Sequence, residues 1–313
     1  MSTGEIKVER KRRKMRIRLI DSYLTFRNIL RSVNGEISVE TISKALTTYF
    51  NNYPEISKIV RECLDKNNIL NWCSKLLSEF INDIEELDRA WKNTYATLPK
   101  ALFMFTEKFS KNFYNELYLV LYVSCGCGAG WAFEYHGIPA IYLGLDMIAY
   151  LKWLSEAKIK GLIIHELCHL LNMKLQNTTP RKFSSMENDP YFLLYSEGFA
   201  MKCEHYVLGG EVWRIASDNN WIAWCRNNLG RLARLYVEYV EKGLPVNVFY
   251  GSFYNIDGYS QTGYFLGHEF IKYLENKENM GLIEIAKLRY SDIINYVKKF
   301  LSEVSSVSKP SSV

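Results

Sequence analysis

The residues of this 313-residue chain best placed to do chemistry are His165-Glu166-Leu167-Cys168-His169. Two histidines four apart lie on one helix face, about 6 Å apart along the axis. Each can offer one ring nitrogen to a shared metal ion. Glu166 sits about 100° round the helix from His165, where it can reach a metal-activated water without being a ligand. That is the pattern of a zinc hydrolase, with Glu166 as general base. The apolar runs Gly161-Leu162-Ile163-Ile164 and Leu170-Leu171 enclose the motif. In a buried helix, two histidines and a glutamate without partners would be costly. The chain has only five histidines, so two at this spacing outweigh the alternative of a chance structural cluster.

A catalytic zinc site needs a third protein ligand and an open fourth position. The short metzincin spacing asks for glycine at 172 and histidine at 175. The chain has Asn172 and Leu175, which excludes that class. The best third ligand is Glu197, in Tyr195-Ser196-Glu197-Gly198-Phe199-Ala200. It lies past a polar loop, near the start of a new helix that can fold back on the first, and Gly198 and Ala200 permit close helix approach. An ordinary glutamate at a helix N-terminus would look similar. Glu187, Glu204 and His205 are fallback ligands, and Glu204 could instead orient a ligand histidine. Tyr264 and then His268, four apart on a later helix, are candidates to stabilise an oxyanion. Tyr264 reads equally well as a core aromatic. The segment 138–145 could align an extended peptide as an edge strand.

Taken together, His165-Glu166-x-x-His169 and Glu197-Gly198-x-Ala200 resemble the gluzincin group of zinc metallopeptidases. They are similar in particular to a bacterial and archaeal family of predicted zinc-dependent proteases with a Glu-Gly-Leu-Ala-like string. Gly263-Tyr264-Phe265-Leu266-Gly267 is similar to a Gly-Tyr-x-x-Gly element of that family. The resemblance covers roughly residues 100–275. It implies a zincin-like fold, one zinc ion and hydrolysis of peptide bonds in a peptide or protein substrate. Two alternatives stand beside it: a zincin-fold protein with a non-proteolytic role, as a metal-stabilised binding or regulatory protein using the basic N-terminus, and a zinc hydrolase of non-peptide amides.

These side chains need a scaffold. The expected fold is α+β and mostly helical, with a small antiparallel sheet packed on the active-site helix at about 155–174. Residues 117–123 read as a buried strand, and residues 131–135 and 138–145 as a hairpin around His136-Gly137. A helical region over 16–115 precedes the catalytic region 116–303, with apolar spacings such as Leu19, Tyr23 and Phe26 and a helix start at Ser38. Residues 176–190 read as a loop. Helices are expected from 191 through 206, at 211–242, at 261–276 and at 280–303. Residues 1–15 form a basic flexible head, and 304–313 a disordered serine-rich tail.

The bulk composition is that of a globular protein, 48% hydrophobic and 23% charged. Eight of the 39 basic and two of the 34 acidic side chains fall in residues 1–18. The head therefore carries +6 and the rest of the chain −1. Such a head can touch nucleic acid, but no aromatic residues interleave it and no nucleic-acid motif follows. A solvated, solubilising segment is the simpler reading. No apolar run is long enough for a membrane span and no signal peptide is evident, so a cytoplasmic protein is expected. Seven cysteines without framework spacing point to reduced thiols. Cys125-Gly126-Cys127 would need a second cysteine pair nearby to bind metal, and none is visible. The pattern sets neither the substrate sequence nor an oligomeric state.

Overall fold

The computed structural model describes residues 3–8 (backbone), 15–32, 38–63, 73, 77, 84–216, 218 and 220–306. It confirms an α+β, mostly helical class. The chain divides into two compact units, Met1–Leu170 and Leu171–Val313.

The first unit is built on a five-stranded sheet of order β1-β2-β3-β5-β4. Its strands are β1 (Thr3–Val8), β2 (Met15–Asp21), β3 (Glu116–Tyr122), β4 (Gly130–Tyr135) and β5 (Ile138–Gly144). The sheet is mixed rather than antiparallel: β3 runs parallel to both β2 and β5, while the outer pairs are antiparallel. β3 is central and buried from Leu117 through Tyr122, as an unbroken apolar run in a parallel environment should be. The expected β4–β5 hairpin is present. Its turn residues His136 (φ 51°) and Gly137 (φ 76°) both lie in the left-handed region, as a two-residue type I′ turn requires.

Two expectations for the N-terminus are corrected. Residues 3–8 form a strand of the sheet instead of a flexible head, and residues 15–21 are strand instead of helix. The signal in 15–21 has period two. Ile17 and Leu19 are buried, and they alternate with Arg16 and Arg18, which reach the Glu116 carboxylate at 3.9 and 2.7 Å. Because β2 lies beside β3, residues 16–115 are not a separate helical region. Residues 1–2 and 9–14 of the head lie outside the described residues.

Helices α1 (Tyr23–Ser32), α2 (Val39–Asn52), α3 (Pro54–Cys63) and α4 (Ile84–Phe109) follow. Ser38 caps α2, its hydroxyl accepting from the Thr41 amide at 3.2 Å. Buried polar bonds fasten this layer to the sheet. Ser22 Oγ donates to the Leu121 carbonyl (2.8 Å), and Trp91 Nε1 donates to Asp21 (2.8 Å). After β5 come α5 (Leu145–Tyr150) and α6 (Glu156–Leu175), the motif helix.

The cysteine expectation is overturned. Cys63 pairs with Cys127 and Cys73 with Cys125, at Cα separations of 5.9 and 4.7 Å, within disulfide range. Cys168, Cys203 and Cys225 are free and buried. The second pair missing from the sequence reading is Cys63 and Cys73, brought to Cys127 and Cys125 from 64 and 52 residues away respectively.

The second unit is helical: α7 (Pro180–Met186), α8 (Pro190–Leu208), α9 (Trp221–Asn227), α10 (Leu229–Glu241), α11 (Thr262–Lys277), α12 (Leu282–Ile285) and α13 (Tyr290–Ser306). The expected 176–190 loop contains a helix because Thr179 caps it and Pro180 occupies its first position. The single helix expected over 211–242 is two helices with a break at Asn228. The last helix runs to Ser306, so 304–306 are helical. Residues 307–313 lie outside the described residues. No helix among the described residues is long and apolar enough to cross a membrane.

Candidate metal centre

Helix α6 is buried without interruption from Gly161 to Met173, which explains why its sequence is apolar all round instead of on one stripe. His165, Glu166 and His169 are 2%, 5% and 6% exposed. Their i, i+4 spacing brings the two Nε2 atoms to 3.2 Å. Two facing imidazole nitrogens either share a proton or share a cation. The separation matches the edge, about 3.3 Å, of a tetrahedron with bonds of about 2.0 Å. One carboxylate oxygen of Glu197 completes the group: the three ligand atoms lie within 4.8 Å of one another. Two imidazoles and a carboxylate suit a first-row divalent cation. His165, His169 and Glu197 form the only such group found among the described residues.

Glu166 faces the sheet. A Cβ placed on Gly130, the first residue of β4, would overlap the Glu166 carboxylate and would come 2.8 Å from Leu162 Cδ1. The glycine therefore lets the strand backbone lie directly against the carboxylate. β4 lies at one edge of the sheet and β1 at the other, whereas β5 (Ile138–Gly144), the strand expected at an edge, is interior between β3 and β4.

Glu197 is the eighth residue of α8, further inside the helix than expected. Asp189 caps that helix through the Tyr191 amide (2.8 Å), and Gly209 ends it at φ 79°. Two features set its position. The Tyr195 hydroxyl lies 2.9 Å from Asn172 Oδ1 and accepts from Gln176 Nε2 at 3.1 Å, tying α8 to the last turn of α6. On its other side α8 meets α11 backbone to backbone. A Cβ on Gly198 would overlap the Gly267 carbonyl, and one on Gly267 would come 2.8 Å from Gly198 Cα. Gly198 and Gly267 thus serve one crossing, between α8 and α11.

Tyr264 lies on that second helix, half-buried, its ring edge-on to Tyr250 at 5.6 Å. Tyr250 was not singled out by the sequence. It lies across Gly263, where a Cβ would come 2.7 Å from the ring, and its hydroxyl is 3.1 Å from that of Tyr236. Tyr236 Oη donates to the Pro190 carbonyl (2.6 Å), leaving its oxygen to accept from Tyr250. Burial pushes the Tyr250 hydroxyl well above its ordinary range, and the hydroxyl of Tyr236 and the charge of Glu197 push the same way. The usable sequence signal was the Phe249-Tyr250-Gly251 aromatic step inside a loop, one of many tyrosines.

His268 occupies a different place from the expected one. It is fully buried, with Nε2 3.1 Å from His205 Nδ1 and Nδ1 3.2 Å from Glu269 Oε1. Both ring nitrogens are thus engaged within this network, and neither is left over for an oxyanion. His205 Nε2 in turn donates to the Val212 carbonyl at 3.1 Å, which occupies a fallback ligand. Glu204 forms a buried ion pair with Arg214, and Glu187 accepts from Ser196 Oγ at 2.7 Å. The fallback carboxylates are thus engaged in structural bonds.

Compared with protein families, with curated proteins and with solved structures, the chain matches none.

Proposed function

We propose that this protein is a gluzincin-type zinc metallopeptidase acting on an extended peptide or protein. The observation that carries the reading is the grouping of one ligand atom each from His165, His169 and Glu197 within 4.8 Å of one another. These three residues would hold one zinc ion. When bound, it would supply Lewis acidity, lowering the pKa of a water and polarising a carbonyl. The Glu166 carboxylate, held against Gly130, accepts the water proton and returns it to the leaving amine. The Tyr264 phenol is the remaining donor for the developing oxyanion once His268 is assigned to its buried network. An edge strand beginning beside Glu166 favours an extended peptide over a small amide, since unpaired strand groups recognise backbone.

The test separates catalysis from metal binding. Glu166→Gln is expected to retain one zinc per chain by elemental analysis while peptide cleavage falls at least ~10²-fold. His165→Ala is expected to lose the zinc. Full cleavage by the glutamine variant rejects the base assignment, and stoichiometric zinc in the alanine variant rejects the ligand set.

A further inference from the structure

The two disulfides meet the same turn but differ in access. Cys73 and Cys125 are both fully buried, whereas Cys63 and Cys127 are partly exposed. The turn they clamp, residues 124–130, joins β3 to β4 and ends at Gly130, the glycine against Glu166. Its two halves are held differently. In the first half, Asp146 accepts from the amides of Ser124 (2.6 Å) and Gly126 (2.9 Å), beside the buried Cys73–Cys125 bond. In the second half, the Cys127 carbonyl accepts from Trp131 Nε1 (3.2 Å) and the Ala129 carbonyl from the Gly144 amide (2.9 Å), beside the partly exposed Cys63–Cys127 bond. Cys125 (φ 58°), Gly126 (φ 82°) and Gly128 (φ 146°) all have left-handed φ, so this path is set by its fastenings and not by strand pairing.

We infer that Cys63–Cys127 is a reversible thiol–disulfide exchange site for a dithiol reductant, and that opening it loosens the turn that presents β4 and Gly130 to Glu166. A thiolate of the dithiol attacks one sulfur, the S–S bond breaks, and the other protein sulfur leaves as a thiolate and takes a proton. The second thiol of the reductant then displaces the first protein sulfur. The protein gains two thiols and the reductant becomes a disulfide. Cys73–Cys125, closed to solvent, keeps the first half of the turn in place. The catalytic consequence rests on the proposed peptidase reading; the exchange site itself does not.

The full-length chain is treated with graded dithiothreitol, quenched by alkylation and mapped by peptide mass, with hydrogen exchange followed at 130–135. Before reduction, three of seven cysteines are expected to alkylate in denaturant. On reduction, Cys63 and Cys127 should alkylate at least 10-fold faster than Cys73 and Cys125, and exchange in 130–135 should rise at least 10-fold at that first step. The double variant Cys63→Ser, Cys127→Ser should show the raised exchange without reductant. Seven alkylated cysteines before reduction, simultaneous opening of both bonds, or unchanged exchange in 130–135 each overturns the inference. Absence of peptide cleavage by the untreated protein overturns the peptidase reading and leaves these readouts intact.

Discussion

Glu166 and Gly130 set the first prediction at the scale of single residues. A Cβ at residue 130 would overlap the end of the Glu166 side chain, so the carboxylate would have to move. On the proposed peptidase reading, Gly130→Ala should displace the Glu166 carboxylate and lower kcat/KM by ~10²-fold, the usual effect of a misplaced catalytic group, while the zinc content stays unchanged. Loss of zinc in parallel with activity would count against that division of labour. A second residue-scale prediction concerns His205. Burial depresses its pKa from 6.5 to about 4. Between those values the unfolded chain binds a proton that the folded chain refuses, so stability falls as pH drops from about 6.5 towards 4, by up to about 3 kcal/mol. Denaturant midpoints at pH 7 and pH 4.5 test this. His205→Asn should weaken the pH dependence even as it costs stability at pH 7 through the lost bonds to His268 and Val212.

The crossing of α8 and α11 governs the site at the scale of elements. Helices meeting at Gly198 and Gly267 bring their backbones into contact, leaving no room for a methyl group. Gly198→Ala or Gly267→Ala should therefore destabilise by about 1–3 kcal/mol, despite the better helix propensity of alanine, and urea midpoints would measure it. A gain in stability would show the crossing to be looser than described. The sequence signalled that Gly198 is a close-approach residue but not its partner. A glycine reveals that something comes near, whereas the partner depends on how distant helices pair. The surroundings of His268 are illegible in the sequence for the same reason. A shared face with Tyr264 is legible from a spacing of four, but the buried company of His205 and Glu269 is not.

Long-range covalent closure matters most at the scale of the molecule. Cys73–Cys125 closes 52 residues around the N-terminal layer and the central strand. The double variant Cys73→Ser, Cys125→Ser should lose about 2–4 kcal/mol, chiefly by freeing the unfolded chain, and thermal unfolding of the oxidised protein would detect it. An unchanged midpoint would mean that the bond closes nothing the fold has not already closed. The sheet was underestimated at this same scale. β3 and the β4–β5 hairpin could be read because their patterns are local and strong. β1 and β2 were assigned to the head and a helix, because a short strand that alternates arginine with isoleucine and leucine gains its identity only by pairing with β3, about 100 residues away.

By itself the sequence determined what local periodicity and local chemistry can carry: the motif helix, its two histidines and the glutamate between them, the hairpin turn, and a glutamate followed by a close-approach glycine. Only the tertiary structure decided which strand is the edge, which glycines face each other, which cysteines pair and which histidine is withdrawn into the interior. Those properties belong to pairs of residues far apart along the chain. Each depends on the packing free energy of the whole arrangement, and no window of sequence contains both partners.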